Sequence, residues 1–219
     1  MKDYKYYFFD LDGTLTQSEF GIFESIRYAL NKFEIEEEDN SKLKKFIGPP
    51  LFSSFKEVFG FSDEMADRAV AYYREFYNVT GFKNAPLYAG VKDTLDKLKN
   101  AGKVIALVTA KPEVMAVAVV ENKEIRHYFK EIVGPELGNK NPDKTYLIER
   151  AMDLLNIDKN DPDERAKVVM VGDRFYDIEA AVNAKVDSIG VLYGYGSEEE
   201  LKEAGATYIV KTADKIFEI

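Results

Sequence analysis

The sequence predicts an α/β protein in which a doubly wound, Rossmann-like parallel sheet carries an all-helical insertion. The sheet is predicted by short runs of Val and Ile that lack polar alternation, as in strands buried on both faces, and by the helical patterns between them. The insertion is predicted because residues 16–85 hold helical patterns and no convincing strand. We therefore expect an α/β core from residues 1–15 and 86–219 and a separate helical domain from residues 16–85.

Strands and helices alternate in the predicted core. Apolar residues at helical spacing predict helices over 91–98 and 146–157. Ser197 with Glu200 three residues later predicts a capping box at the start of a further helix, which Gly205 ends. Most of the predicted strands end in small or acidic residues, and they cover 5–9, 104–108, 132–133, 168–171 and 188–192.

Three helices are predicted within the insertion. Apolar residues recur at helical spacing over 23–33 and 51–59, and Ser62 is placed to cap a third helix. The acidic run 34–39 is predicted to lie in a solvated connection between helices. Residues 83–90 are predicted to form the linker back into the core.

The composition limits the possible partners. The chain has 219 residues, of which 46% are hydrophobic, with no cysteine and a net charge of −9. This balance excludes a disulfide scaffold and argues against a nucleic acid polymer as the main partner. No apolar run approaches the roughly 20 residues of a membrane span, and the basic and apolar regions of a signal peptide are missing. We expect a cytoplasmic protein without a membrane partner.

Acidic and polar residues follow the predicted strands at the edge where an open parallel sheet binds ligands. Asp10 and Asp12 follow the first strand, Thr109 the second and Asp173 the fourth, while Lys144 begins a helix near the same edge. Clustered carboxylates repel one another and are costly to bury. Mg²⁺ is the simplest compensation, and it would also bind phosphate oxygens of a substrate. Turn formation and helix capping are the alternative roles for the first two acids.

Four motifs occur together in this chain. The stretch Asp-Leu-Asp-Gly-Thr at 10–14 is followed by Thr109, by Lys144, and by Asp173 and Asp177 in the spacing Gly-Asp-x-x-x-Asp. In this order and on these elements, they resemble the motifs of haloacid dehalogenase (HAD) superfamily hydrolases. The helical insertion is similar to the C1-type cap domain of the phosphoglycolate phosphatase-like branch, so the resemblance covers the whole chain.

The resemblance implies a role for each motif residue. Asp10 would be the nucleophile that attacks phosphorus, and Asp12 would move protons to and from the reacting oxygens. Mg²⁺ would be held by Asp10, by the backbone carbonyl of Asp12 and by Asp173, with Asp177 binding a metal-bound water or orienting the motif lysine. The Thr109 hydroxyl would hold phosphate oxygens. Further substrate contacts are expected from Thr14, Ala110, Gly48 and Pro49.

Three points stay open at this level. The motif lysine is Lys144 or, as the alternative, Lys140 before Asn-Pro. Ala110 stands where relatives often have Asn or Ser, so that a side-chain contact is lost and the backbone donor remains. The stretch Gly48-Pro49-Pro50 either reaches toward the active site, as in relatives, or is a plain turn between helices.

The activity implied by the resemblance is a Mg²⁺-dependent phosphatase. Its substrate would be a small phosphorylated metabolite, with phosphoglycolate or a nucleoside 5′-monophosphate favoured and pyrophosphate behind them. A sugar-phosphate mutase, a phospho-accepting signalling module and a non-catalytic binding protein are the alternatives. The oligomeric state is expected to be a monomer or a homodimer.

Overall fold

A six-stranded sheet forms the centre of the chain, for which the computed structural model describes residues 2–139 and 142–219. Every neighbouring pair of strands is parallel, in the order β3-β2-β1-β4-β5-β6. The predicted doubly wound, Rossmann-like fold is thereby confirmed. The strands are β1 (Tyr6–Phe9), β2 (Val104–Val108), β3 (Phe129–Val133), β4 (Val168–Gly172), β5 (Asp187–Val191) and β6 (Tyr208–Val210).

Strand β1 shows why these apolar runs form a central sheet. Its side chains alternate between two separate hydrophobic clusters, because successive residues of a strand point to opposite faces. Tyr7 and Phe9 lie in one cluster, and Tyr6 and Phe8 lie in the other. A strand buried on both faces therefore needs an uninterrupted apolar sequence.

Helices cover both faces of this sheet. Helices α5 (Val91–Asn100) and α6 (Glu113–Asn122) pack on one face, and α7 (Lys144–Leu154) and α9 (Phe175–Ala184) pack on the other. The remaining helices of this part are the short α8 (Pro162–Arg165) and α10 (Glu198–Glu203), with 3₁₀ turns at Arg126–Tyr128 and Ala213–Glu218.

The insertion after β1 is helical, as expected, and encloses a third hydrophobic cluster of its own. Ser62 caps the longest helix through a hydrogen bond from the Met65 amide at 3.3 Å, and the acidic run connects two helices. The division into two domains at residues 15/16 and 85/86 stays a prediction. The helices are α1 (Glu19–Asn31), α2 (Asn40–Lys44), α3 (Leu51–Phe59) and α4 (Asp63–Tyr77), followed by a 3₁₀ turn at Gly81–Lys83.

The two linkers of the insertion pair with each other. The Gln17 amide donates to the Pro86 carbonyl at 2.8 Å, and the Tyr88 amide donates to the Leu15 carbonyl at 3.1 Å. Thr16 and Leu87 form the antiparallel bridge between these bonds. The chain therefore leaves the core and returns to it side by side.

Only one of the two hydrogen bonds of the predicted capping box at Ser197 and Glu200 is formed. Ser197 does cap α10, because its hydroxyl accepts from the Glu200 amide at 3.1 Å. The Glu200 carboxylate does not complete a capping box, since its Oε1 accepts from Arg174 Nε at 2.7 Å and from the Phe175 amide at 3.0 Å. A charged partner next to the helix competes successfully with the local backbone donor.

Within the described part of the chain, none of the helices has both the length and the apolar character that crossing a membrane requires.

Candidate active site

The strand order brings three of the predicted site residues to one edge of the sheet. Strand β1 lies between β2 and β4, where the direction of the chain order reverses, and open α/β sheets bind ligands at this switch point. Asp10 follows β1, and its amide donates to the Val171 carbonyl at 2.9 Å. Thr109 follows β2, and Asp173 follows β4.

Three buried carboxylates converge at this edge. Asp10, Asp173 and Asp177 each offer an oxygen, and these oxygens lie within 4.8 Å of one another. Asp177 is placed by the first turn of α9, where its Oδ2 accepts from the Arg174 amide at 3.1 Å. Oxygen donors at this spacing suit a hard cation such as Mg²⁺. The donor set therefore fits the metal that the sequence predicts.

Asp173 is held on both of its carboxylate oxygens. The Thr14 hydroxyl donates to Oδ1 at 3.1 Å, and the backbone amide of Tyr195 donates to Oδ2 at 2.8 Å. The contribution of the Tyr195 amide was not predicted. Its sequence signal is the glycine on either side, because a Cβ at Gly194 or Gly196 would overlap Asp173.

Lys144 joins the cluster from the first position of α7, which packs on the same face of the sheet as α9. Its Nζ donates to Asp10 Oδ1 at 2.7 Å and also to Asp177 Oδ1. The position is set by the start of α7, where Asp143 accepts from the Thr145 amide at 2.9 Å. The alternative, Lys140, lies outside the described residues, so the assignment of Lys144 as the motif lysine stays a prediction.

Asp12 is paired with a different lysine from the one that contacts the carboxylate cluster. Its Oδ2 pairs with Lys111 Nζ at 2.7 Å, and the same ammonium donates to the Tyr77 hydroxyl at 2.8 Å. The carboxylate of Asp12 is not among the three that could share a cation. Lys111 was missed at the sequence level, although it lies only two residues after Thr109 at a strand end.

Burial and mutual repulsion change the acidity of the cluster. Burial raises the pKa of Asp10 to about 6; the Lys144 ammonium opposes this rise, and the Asp177 and Asp12 carboxylates add to it. Burial also raises the pKa of Asp173 well above its usual value, and the carboxylates of Asp177 and Asp10 raise it further. A bound cation would relieve the same repulsion.

Both lysines remain ammonium ions in this setting. Burial alone would lower the pKa of Lys144, but the carboxylates of Asp10 and Asp177 outweigh it and raise the pKa. For Lys111, burial is likewise outweighed by Asp12 and by the Tyr77 hydroxyl, so its pKa is raised. Each lysine therefore supplies a full positive charge to the site.

A cavity of about 500 Å³ opens above these residues. Asp10, Asp12, Thr109, Ala110 and Lys144 line its floor, and Gly48 and Pro49 of the insertion line its opposite side. Thr14 is fully buried and lies behind Asp173 instead of on the cavity wall. The roles of these residues toward a substrate stay predictions.

The loop that contains Gly48 is held against the core by Arg174. The guanidinium donates from Nη1 to the Ile47 carbonyl at 3.1 Å while its Nε is paired with Glu200. Helix α4 supplies a further part of the wall, through Tyr73, Arg74 and Tyr77 among others. The insertion therefore closes the space next to Asp10.

The single histidine takes no part in this arrangement. His127 is exposed in the 3₁₀ turn before β3 and does not line the cavity.

Gly13 is required by the site: its φ is +88°, and a Cβ there would overlap the Asp173 carboxylate. The glycine after the paired acids thus allows two motifs to touch.

Comparison with known proteins gives several likenesses. Residues 7–191 match the sequence model of a family described as haloacid dehalogenase-like hydrolase. A 5′-nucleotidase of Pseudomonas aeruginosa is 36% identical over 200 residues, which cover 91% of this chain and 88% of the relative. A phosphoglycolate phosphatase of Vibrio cholerae is 31% identical, over 100% of this chain and 98% of the relative. A solved structure, described as a predicted phosphatase from Clostridium acetobutylicum, is 43% identical with a TM-score of 0.89, over 98% of this chain and 97% of that one.

Proposed function

The chain belongs to the haloacid dehalogenase-like hydrolase family and is a phosphoric monoester hydrolase, and on this premise we propose that it hydrolyses a small phosphate ester with Mg²⁺ through an aspartyl-phosphate on Asp10. The observation that carries the proposal is the position of Asp10. It lies at the switch point of the sheet, shares a possible cation site with Asp173 and Asp177, and faces the cavity.

The residues of the site divide the reaction into two steps. An oxygen of Asp10 forms a bond to phosphorus while the ester P–O bond breaks, and Asp12 gives its proton to the leaving oxygen. Asp12 then takes a proton from water, whose oxygen attacks phosphorus and releases inorganic phosphate and the Asp10 carboxylate. Mg²⁺, when bound by Asp10, Asp173 and Asp177, supplies positive charge that screens the carboxylates from the anionic substrate.

The remaining polar groups hold the transferred phosphoryl group. Lys144 lies 2.7 Å from Asp10 and offers an ammonium beside the attacking oxygen. The Thr109 hydroxyl and the Ala110 amide are at the end of β2, on the cavity floor. Such preorganised donors stabilise negative charge that spreads over the phosphoryl oxygens.

The size and lining of the cavity favour a nucleoside 5′-monophosphate over phosphoglycolate. A cavity of about 500 Å³ falls within the range of roughly 300–1,000 Å³ that holds drug-sized ligands. Its wall includes Phe46, Phe52 and Tyr73 together with Arg74 and Asn78, which suits a base and a ribose. Phosphoglycolate, a two-carbon acid, would fill only a small part of it. The relative from Pseudomonas aeruginosa is named as a 5′-nucleotidase.

The test is phosphate release from a panel of nucleoside 5′-monophosphates, phosphoglycolate, sugar phosphates and pyrophosphate. It is run with Mg²⁺, with EDTA, and with Asp10→Asn. We expect release that needs both the metal and Asp10, with nucleoside monophosphates ranked first. If phosphoglycolate is preferred, the proposed substrate class is wrong and phosphoglycolate takes its place. Phosphate release that survives Asp10→Asn would exclude the aspartyl-phosphate route. No release from any compound by folded protein with Mg²⁺ would contradict the proposal as a whole.

A further inference from the structure

The ammonium of Lys111 lies where the core and the insertion meet at the active site. It is 2.7 Å from Asp12 Oδ2 on the core and 2.8 Å from the Tyr77 hydroxyl on α4. The lysine side chain is only 8% exposed and that of Asp12 17%. A buried lysine with two such partners is a fixed element of the site and differs in this from an ordinary surface lysine.

The position of Lys111 is not explained by pairing with the three clustered carboxylates. Asp10 and Asp177 are already paired with Lys144. Lys111 instead contacts Asp12, whose second oxygen, Oδ1, is buried with no hydrogen-bond partner in the described part of the chain. The Asp12 side chain is therefore oriented through one oxygen, by one ammonium.

Tyr77 in turn fixes Lys111. Its ring stacks on Tyr73 of the same helix, with centroids 5.2 Å apart and an angle of 13°, and lies 4.6 Å from the Lys111 ammonium. Both tyrosines are buried in the hydrophobic cluster of the insertion. A chain of contacts thus runs from the packed interior of the insertion to the proton-transferring acid of the core.

We propose that Lys111 is a positioning residue for Asp12 and that Tyr77 holds Lys111 in place, so that the seating of the insertion on the core sets the orientation of the acid that moves protons. The inference rests on the proposed function, in which Asp12 protonates the leaving oxygen. An acid that must meet this oxygen gains rate from a fixed orientation, because a small misplacement weakens proton transfer in the transition state.

Two substrates with different leaving groups distinguish a positioning role of Lys111 from a purely structural one. A nucleoside 5′-monophosphate leaves as an alkoxide that needs a proton, whereas p-nitrophenyl phosphate leaves as a stable phenolate that does not. The value of kcat/KM reports the steps up to formation of the aspartyl-phosphate and leaves out its hydrolysis. A loss in kcat/KM confined to the poor leaving group therefore reports on Asp12 as an acid.

The variants are Lys111→Met and Tyr77→Phe, each assayed with both substrates. We expect Lys111→Met to lower kcat/KM for the nucleoside monophosphate about 10- to 100-fold and for p-nitrophenyl phosphate only about threefold. Tyr77→Phe should give a smaller loss in the same direction. As matched controls, Lys123→Met removes a lysine that bonds the Lys83 carbonyl of the insertion at 2.7 Å, and Tyr28→Phe removes a hydroxyl that bonds Glu75 within it. Both controls should keep wild-type values.

A double-mutant cycle with Asp12→Asn completes the test. If Lys111 acts through Asp12, then Lys111→Met should change kcat/KM by less than about threefold once Asp12 is Asn. Equal losses of kcat/KM with both substrates, or additive losses in the cycle, would overturn the inference about Lys111. The proposed function would still stand in that case, because it rests on the activity of the wild type. If Lys111→Met fails to fold, Tyr77→Phe gives the same comparison. A wild type without phosphatase activity would overturn both proposals.

Discussion

At the scale of single residues, the acids of the site are oriented by specific hydrogen-bond and charge partners. Asp173 is the clearest case, because the Thr14 hydroxyl and the Tyr195 amide bond its two oxygens while its pKa is raised by burial. These donors orient the carboxylate toward the other acids. Groups that orient a metal ligand in this way affect metal affinity without touching the metal.

We predict that Thr14→Val weakens Mg²⁺ binding by about 10-fold, within the range of roughly 10- to 100-fold found for such partners. The substitution keeps the shape of the side chain and removes the donor to Asp173. A Mg²⁺ titration of phosphate release measures the effect. Thr16→Val is the matched control, because Thr16 is equally buried and its hydroxyl donates to the Leu11 carbonyl instead of to a carboxylate of the site. Equal shifts in the two variants would contradict the prediction.

The raised pKa of Asp10 predicts how stability depends on pH in the metal-free protein. The folded pKa is about 6 and the ordinary value is 3.8, so between these pH values the folded state binds more protons than the unfolded state. The contribution of Asp10 to stability is therefore greatest below about pH 4 and is lost as the pH rises through about 6. Asp10→Asn should remove the part of this fall that comes from Asp10 and make the metal-free protein more stable at pH 7 by roughly 1–3 kcal/mol.

Urea unfolding at several pH values, with EDTA, measures this difference in the free energy of unfolding. Wild-type protein with saturating Mg²⁺ is the control, because the cation should restore stability at neutral pH. Metal-free wild type with the same stability at pH 4 and pH 7 would show that Lys144 already neutralises Asp10 in full.

At the scale of elements, the site is placed by the ends of strands and the beginnings of helices. Asp10 and Thr109 follow β1 and β2, and Lys144 is the first residue of α7. The start of α7 is fixed by Asp143, which accepts from the amides of Thr145 and Tyr146. The cap therefore fixes the helix start from which Lys144 reaches Asp10.

We predict that Asp143→Ala destabilises the protein by about 1 kcal/mol and lowers kcat several-fold. The cap is lost, and with it the fixed start of the helix that carries Lys144. Asp161→Ala removes the corresponding cap of α8, where Asp161 accepts from the Asp163 amide at 2.9 Å. Thermal unfolding and phosphate release should show a stability cost in both variants and an activity cost only in Asp143→Ala.

The helices and strands that could be predicted are those whose sequence pattern matches the burial they have in the fold. The apolar runs of β1, β2 and β4 and the Ser62 cap are examples, because a strand buried on both faces must be apolar throughout. Strand β6 was missed, since a three-residue strand leaves almost no pattern. The pairing of Glu200 with Arg174 and the contact between Lys111 and Tyr77 depend on packing between segments far apart in sequence. No local spacing encodes them.

At the scale of the whole molecule, the insertion is joined to the core at a few defined points. Arg174 is one of them, because its guanidinium bridges the Ile47 carbonyl and the Glu200 carboxylate. Tyr195 is another: its hydroxyl contacts Glu19 at the start of α1, and its amide bonds Asp173. The groups that hold the insertion on the core therefore also contact the carboxylate cluster.

We predict that Arg174→Met loosens the loop above the cavity. Hydrogen exchange of the Phe46 and Ile47 amides should accelerate about 10-fold in the free protein, which corresponds to the loss of roughly 1.4 kcal/mol of local stability. Arg126→Met is the control, because Arg126 bonds the Phe129 carbonyl within the core at 2.7 Å. Exchange that is unchanged in Arg174→Met would show that the loop is held by its apolar contacts alone.

The pairing of the two linkers has a consequence for how such a protein can diversify. Backbone hydrogen bonds join Gln17 to Pro86 and Leu15 to Tyr88. The whole helical segment therefore begins and ends at one paired site, as the loop of a β-hairpin does. The entropic cost of closing a loop grows only with the logarithm of its length. The segment can therefore be lengthened, shortened or exchanged for another with little penalty to β1 and α5. Under the proposed function, substrate range can change by such exchange while Asp10 keeps its position at the end of β1.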